Sequence, residues 1–505
     1  MSKLPDQTKS QKATNRVNSA WGVVEYAAQA ISLLCLTPLL LDRLGDGAFG
    51  LLVIATTIMG LNGMFSLGLG PATQHFVAKY RQGNSQTKRQ QLKTVVETSI
   101  VANLVFGFCS GLLLILFANY IPSFFKEPPE GTTELLISII KISGVALPFV
   151  FIANTVDNTL RGFERFDLSV PLMATTRITT AVAQIVMVLL GFGILELVTA
   201  AIVCQGLRSC AGIIVLRKYV LPELSLLPGF VYSEFRKFIA YGVYVWLNSM
   251  IAMGRNSGEV LILAAILGPA VLTFYAIPSR VLAQTHLLLS KAFAYLFPFA
   301  TKLIHEGDTK KVFEIYSSAT RYLSTLSALV IPALAIGCGP LLTIWIGAER
   351  AETMTPVFQL LAIRFAVFPL SILTTNLLMA ADKTHVMTII MGINTLTILP
   401  ASALCAYHYG VMGAAAAQLL VFAPILFNRF YVEKNLFGSA SFNTVALPVI
   451  LIAVPLVCCL LAIRLPVDYP IFLTVIVSAG VGIACASICW FFGNRFPAIH
   501  LPAPA

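Results

Sequence analysis

The sequence predicts an all-α, polytopic membrane protein of about 14 transmembrane helices. Its plan is two parallel six-helix repeats, forming V-shaped lobes, followed by two C-terminal helices. Three observations predict it. Of the 505 residues, 57% are hydrophobic and only 11% are charged, whereas water-soluble chains carry about 25% charged residues. Apolar runs long enough to cross a bilayer core, about 20 residues each, recur along the whole chain, and the mean hydropathy is +0.83. Lysine and arginine are concentrated in alternate connections, as the positive-inside bias requires. A transmembrane β-barrel would show short alternating segments instead, and these are absent from the sequence.

Residues 1–19 are polar and form a tail, not a signal peptide: the apolar segment that follows is too long and lacks a cleavage pattern. The predicted spans, numbered 1 to 14, are 20–41, 48–70, 95–120, 133–157, 169–192, 195–216, 236–255, 259–290, 313–337, 355–379, 386–407, 411–431, 443–464 and 469–492. One set of connections holds nearly all the basic residues. It begins with Lys3, Lys9, Lys12 and Arg16 in the tail and Lys79, Arg81, Lys88, Arg89 and Lys93 after span 2. It continues with Arg161 and Arg165, with Arg217, Lys218, Arg236 and Lys237, with Lys302, Lys310 and Lys311, and with Lys383, Lys434 and Arg495. The opposite set holds little beyond Arg43, Lys126, Arg350 and Arg464. Both termini are therefore expected in the cytoplasm. The lobes are expected at 20–217 and 235–434, joined by a cytoplasmic linker at 218–234, with spans 13 and 14 and a tail in 435–505.

Several function classes are disfavoured. No connection is long enough for a globular catalytic domain. No Walker A pattern, nucleophile elbow or metal-spaced His/Cys/Asp cluster occurs. The chain is expected not to be an enzyme and to need no cofactor. All ten cysteines lie in or beside apolar runs, where they read as small buried residues. The net charge of +11 is explained by the cytoplasmic connections and not by nucleic acid.

The halves echo one another. "LGDGAFGLL" at Leu44 matches "LGPAVLTFYA" at Leu267, and the basic loop around Gly83 matches that around Gly307. "LRGFER" at Leu160 matches "LMAADK" at Leu378. Three matches in order, at nearly constant separation, argue for a duplicated six-helix unit. The charged junction "LRGFERFDLSV" (160–170) then reads as a cytoplasmic turn between spans 4 and 5, with Gly162 permitting the reversal and Arg161 and Arg165 beside Glu164 and Asp167.

These motifs carry a resemblance. The "LG..AFG" entry to span 2, the "G..RF" junction after span 4, the "LG......Y" step into span 8, the "LLTIWIG" run at 341–347 and the 12 + 2 plan resemble the O-antigen and exopolysaccharide flippases. These belong to the multidrug/oligosaccharidyl-lipid/polysaccharide exporter superfamily, and the likeness covers roughly residues 20–490. It implies flipping of an undecaprenyl-diphosphate-linked oligosaccharide from the cytoplasmic to the periplasmic leaflet of a bacterial inner membrane. It also implies alternating access at a site between the repeats, and functional partners in polysaccharide assembly. Lipid II flippases and multidrug and toxin extrusion antiporters share that fold, and fold alone does not fix the cargo.

Ionisable groups at membrane depth are costly and face a cavity or a partner. The basic ones are Lys141, Arg177, Arg208, Arg255, Arg280, Lys291 and Arg364; the acidic ones are Glu25, Glu97 and Glu259. The excess of arginine suits a diphosphate, because the guanidinium can donate two hydrogen bonds at once. A cationic cavity is expected from Arg177, Arg364, Arg280, Lys141 and Arg255, with Glu25 and Glu259 as candidates for proton or sodium coupling. Arg255 and Glu259, at the facing ends of spans 7 and 8, are four apart and share one helical face if that turn is continuous, where they can pair with each other or contact substrate. Arg208, Lys291 and Glu97 lie near span ends and are expected to snorkel. Tyr26, Tyr244, Trp246, Asn154, Asn158, Asn248 and Asn376 are candidates for sugar contact or for helix packing, and the prenyl tail of the substrate is expected in membrane lipid. The alternative is a cation-coupled small-molecule exporter of the same fold. A membrane-embedded glycosyltransferase fits the duplicated plan poorly.

Overall fold

The computed structural model describes residues 7–81, 86–125, 132–225, 228–293, 300–301, 303–304, 306–381, 383–438 and 471–495. Predicted span 13 and Asp382 lie outside them, as do the side chains of Glu25, Tyr26, Tyr244, Asn248 and Lys291. Among the described residues there is no strand. The helices are α1 (Gln7–Gly60), α2 (Leu69–Tyr80), α3 (Gln86–Phe117), α4 (Thr132–Gly162), α5 (Phe166–Leu189), α6 (Ile194–Tyr219), α7 (Tyr232–Leu267) and α8 (Pro269–Ala292). They continue with α9 (Thr309–Ile346), α10 (Ala348–Val367), α11 (Leu370–Ala380), α12 (Thr384–Ala417), α13 (Phe422–Phe437) and α14 (Ile471–Arg495). Among the described residues, eight helical stretches are long and apolar enough to cross a membrane. The chain is a multi-pass membrane protein.

Several predicted breaks shrink to one glycine. Spans 1 and 2 run as a single helical stretch, α1, interrupted only at Gly45, with φ 81° and ψ 170°. Span 2 does not stop at 70: after an irregular stretch around Leu67 and Gly68 it resumes as α2 and ends at Tyr80. Spans 7 and 8 were expected to part at 256–258, but α7 runs unbroken through that stretch and turns at Gly268, φ 82°. Gly254, Asn256, Ser257 and Gly258 are weak helix formers. In a bilayer, however, an opened turn leaves backbone groups with no water to bond, and this keeps the helix intact. Gly268 supplies the left-handed residue and Pro269 starts the next helix, where its missing N–H costs nothing. Gly45 and Gly268 are the matched glycines of the repeated "LG" motif, so the duplication read in the sequence recurs in backbone conformation.

The chain divides into two compact units, Met1–Leu261 and Ile262–Ala505. In the first, α3 and α4 meet through small residues: a Cβ at Gly107 would stand 2.7 Å from Pro148 Cα, and one at Gly111 would strike the Gly144 carbonyl. Such close approach is how helices gain contact area in lipid. Leu69, Ala72, Phe76 and Val77 of α2 close the core with Val95, Val96, Val156, Leu160 and Phe238. In the second unit, residues 348–380 form the most buried of the described spanning stretches. Their apolar window is 83% buried, against 11% for α5 in the first unit. Gly482 of α14 packs on the Leu329 carbonyl of α9.

Candidate functional site

In the first unit Arg177 projects from α5 and is half-buried. Its Nη1 donates to Gln29 Oε1 of α1 at 2.9 Å. Among the described residues it has no carboxylate partner. Glu25 stands one turn before Gln29 in the same helix. Lys141 is exposed on α4, on a stripe with Val145 and Phe149, both also exposed. That stripe is apolar, so Lys141 sits on a lipid-like face from which its ammonium can snorkel.

Arg208 does not snorkel. It makes an ion pair with Asp157, tying α6 to α4, and the two side chains are only 14% and 12% exposed. Ser169 Oγ donates to Asp157 Oδ1 at 3.5 Å. Glu97 is also claimed by structure. Its carboxylate accepts the backbone N–H of Ser225 at 3.0 Å and of Gly229 at 3.3 Å, while Thr98 Oγ1 accepts that of Val231 at 3.2 Å. The segment expected to be the linker is thus clamped onto α3. The sequence placed Glu97 near a span end but gave no sign of its backbone partners.

Arg255 and Glu259 lie on one face of the unbroken α7, 8% and 7% exposed, and neither is without an interaction. The expected break between them is absent, because the turn falls at Gly268 instead. A polar face is found elsewhere. Pro71, Gln74 and His75 form the exposed face of α2, and His75 stacks on Tyr241 of α7 with ring centroids 4.3 Å apart. Trp246 donates its indole N–H to the Met64 carbonyl at 2.7 Å. Asn158 lies against Gly70, and Asn154 is exposed one turn earlier. Gln, His and Asn on an exposed face are costly against lipid and suit contact with water or a polar solute.

In the second unit Arg280 follows Pro278 on α8 and is half-buried. Among the described residues it has neither an ion pair nor a hydrogen-bond partner. Arg364 of α10 is 6% exposed. Its Nη1 donates to Gln418 Oε1 at 2.8 Å, and its guanidinium lies 5.2 Å and 5.3 Å from the ring centres of Phe365 and Phe368. Neither Arg364 nor Arg255 opens to solvent in this conformation.

Sequence reasoning missed a second buried ion pair. Arg429 Nε donates to Glu433 Oε1 at 3.0 Å within α13, and the Tyr316 hydroxyl of α9 donates to the same oxygen at 3.1 Å. The repeat held the signal. Arg208 and Arg429 stand in spans 6 and 12 at the separation that relates the repeated motifs.

Comparisons with known proteins agree with this architecture. The family described as polysaccharide biosynthesis protein matches residues 43–355. A Shigella flexneri protein named for O-antigen transport is 21% identical over 402 residues, covering 79% of this chain and 92% of that protein. The inward closed structure of the lipid II flippase MurJ is similar with a TM-score of 0.70 at 13% identity, covering 94% of this chain and 99% of that one. An inward-facing multidrug resistance MATE transporter gives 0.67 at 12% identity, with 84% and 96% covered.

Proposed function

The chain belongs to the polysaccharide biosynthesis protein family, and from that membership we propose that it flips an undecaprenyl-diphosphate-linked oligosaccharide from the cytoplasmic to the periplasmic leaflet. The observation that carries the reading is the surplus of arginine without carboxylate partners. Arg177 holds only an amide, and Arg280 holds nothing among the described residues. A positive charge kept unpaired at membrane depth is costly, and a diphosphate offers the compensation it lacks. The bidentate fit of guanidinium to phosphate oxygens favours this cargo over a cationic drug. The exposed face with Gln74, His75, Asn154, Asn158 and Tyr241 supplies donors, acceptors and one stacking surface for sugar.

In this reading the protein sits in a bacterial inner membrane with both termini cytoplasmic. It works by alternating access, driven by a proton or sodium gradient, with Glu25 as the coupling carboxylate. It receives its substrate from, and hands it to, other members of a polysaccharide assembly pathway. The test is flipping of a fluorescent undecaprenyl-diphosphate oligosaccharide in proteoliposomes. Arg177→Ala and Arg280→Ala should each cut the rate by about 10-fold or more, as loss of a charge-assisted contact does, with insertion unchanged. Normal flipping by both variants refutes the assignment of these residues. Glu25→Gln should uncouple flipping from the gradient. Gradient-driven efflux of a soluble cation, with no flipping of the diphosphate lipid, would replace the flippase reading by the exporter.

A further inference from the structure

The charged turn that ends α4 leaves one of its arginines unpaired. Glu164 is held by Arg81 at 2.5 Å, and Asp167 by Arg165 at 2.9 Å. Asp157, one turn before Arg161 in α4, is held by Arg208. Arg161 itself has no carboxylate partner among the described residues. Its Nη2 donates to the Met173 sulfur of α5 at 3.5 Å, and a thioether is a weak acceptor. Its Nε–H is buried with no acceptor at all, which is costly for a charged donor. An arginine that only marked the cytoplasmic side would turn its head to water or to an acid, and Arg161 does neither.

Its place in the fold points to a use. Asn154, Asn158 and Arg161 stand at i, i+4 and i+7 of α4, on one face. Asn154 is exposed, and Asn158 and Arg161 are half-buried. On one flank of this stripe lies α2: a Cβ at Gly70 would stand 2.7 Å from Asn158 Nδ2, and one at Gly162 would stand 2.9 Å from the Gln74 carbonyl. On the other flank lies α5, where Ser169 meets Asp157 and Met173 meets Arg161. Met173 precedes Arg177 by one helical turn, about 6 Å along the axis. Both share the inward face of α5 with buried Val170 and Ala174, opposite the exposed Val182 and Val186. Arg161 thus joins the polar face of α2 and α4 to Arg177, whose one described partner is an amide.

We propose that Arg161 is the first phosphate station of this unit. It takes the diphosphate of the lipid-linked substrate at the cytoplasmic end of the Asn154–Asn158 stripe and passes it to Arg177, one turn deeper. This rests on the flippase reading and on the orientation given with it. Phosphate oxygens would replace the thioether and supply the Nε–H with the acceptor it lacks, through charge-assisted bonds. A cationic cargo would be repelled at the same place.

The test is flipping of a fluorescent undecaprenyl-diphosphate oligosaccharide by the full-length chain in proteoliposomes, with the lipid concentration varied. Arg161→Gln should raise the half-saturating concentration about 10-fold, as loss of one charge-assisted contact does, and lower the maximal rate less than about 2-fold. Arg165→Gln removes the same charge from the same turn, and should leave half-saturation unchanged. Half-saturation that does not rise in Arg161→Gln, or that rises equally in both variants, overturns the proposal and leaves the flippase reading standing. Wild type that flips no diphosphate lipid overturns both. If Arg161→Gln does not insert, phenylglyoxal labelling of the wild type decides. Undecaprenyl diphosphate, and not undecaprenol, should slow modification of Arg161 while Arg165 reacts as before. Unslowed modification of Arg161 at saturating lipid overturns the proposal.

Discussion

Replacing Asp157 by asparagine keeps the shape of the side chain and removes the charge that Arg208 pairs with. The two side chains are 12% and 14% exposed, so little solvent screens them. Breaking one partner of a buried pair costs about 3–5 kcal/mol, because the other charge stays behind. The partial exposure argues for the lower end, about 3 kcal/mol for Asp157→Asn or Arg208→Gln alone. The Ser169 hydroxyl donates to Asp157 Oδ1 at 3.5 Å, a long hydrogen bond that offsets little of this cost. The double variant strands no charge, so a coupling of about 2 kcal/mol is expected. An ordinary interhelical hydrogen bond in a bilayer averages about 0.6 kcal/mol, which sets the scale for discrimination. The measurement is a double-mutant cycle on reversible unfolding of the purified chain in mixed lipid–detergent micelles. A coupling at or below that ordinary value would show that charge pairing does not dock α4 on α6, and the argument from burial would fail.

Four other outcomes follow from the same geometry. Gly111→Leu forces a side chain into the Gly144 carbonyl and should cost about 1–3 kcal/mol, read as a lower unfolding temperature; Gly60→Ala, which meets nothing nearby, should be near neutral. Glu97→Ala removes the acceptor for Ser225 and Gly229 N–H, so amide exchange at 225–231 should rise while α3 itself stays protected. Glu97→Gln, which keeps one acceptor, should fall between the two by the same exchange measurement. Glu433→Gln should destabilise more than the Arg429→Met/Glu433→Gln double variant, since only the first leaves a buried charge; equal unfolding temperatures would refute this.

The fold was legible because membrane solvation writes itself into composition. Apolar length and the repeated "LG" motif are local or additive signals, and both recur among the described helices. What failed was local propensity read as if in water. The "GRNSGE" stretch looks like a turn, yet α7 passes straight through it. Between spans 1 and 2, Gly45 alone breaks the helix where a loop over 42–47 was expected, because a positive-φ residue needs one position and not six. The site was less legible for a different reason. Whether an arginine is paired depends on residues far away in sequence: Asp157 lies 51 positions from Arg208, and Gln29 lies 148 from Arg177. Spacing on one helix cannot reveal such partners.

That dependence sharpens how the positive charge should be read. An excess of arginine in the sequence does not measure the charge offered to a substrate. Arg208 and Arg429 are neutralised where they stand, and Arg364 is closed off between phenyl rings. In the proposed reading, the charge offered to a diphosphate at membrane depth therefore rests on Arg177 and Arg280. These two differ in what already holds them. Arg177 is oriented by Gln29, so Arg177→Lys, which loses the planar fork, should impair flipping nearly as much as alanine does. Arg280 is held by no described partner, so Arg280→Lys should retain a larger share of the rate if charge alone is what it contributes. Equal losses in the two lysine variants would mean that both arginines grip phosphate through the same bidentate geometry, and that Gln29 does not orient the first.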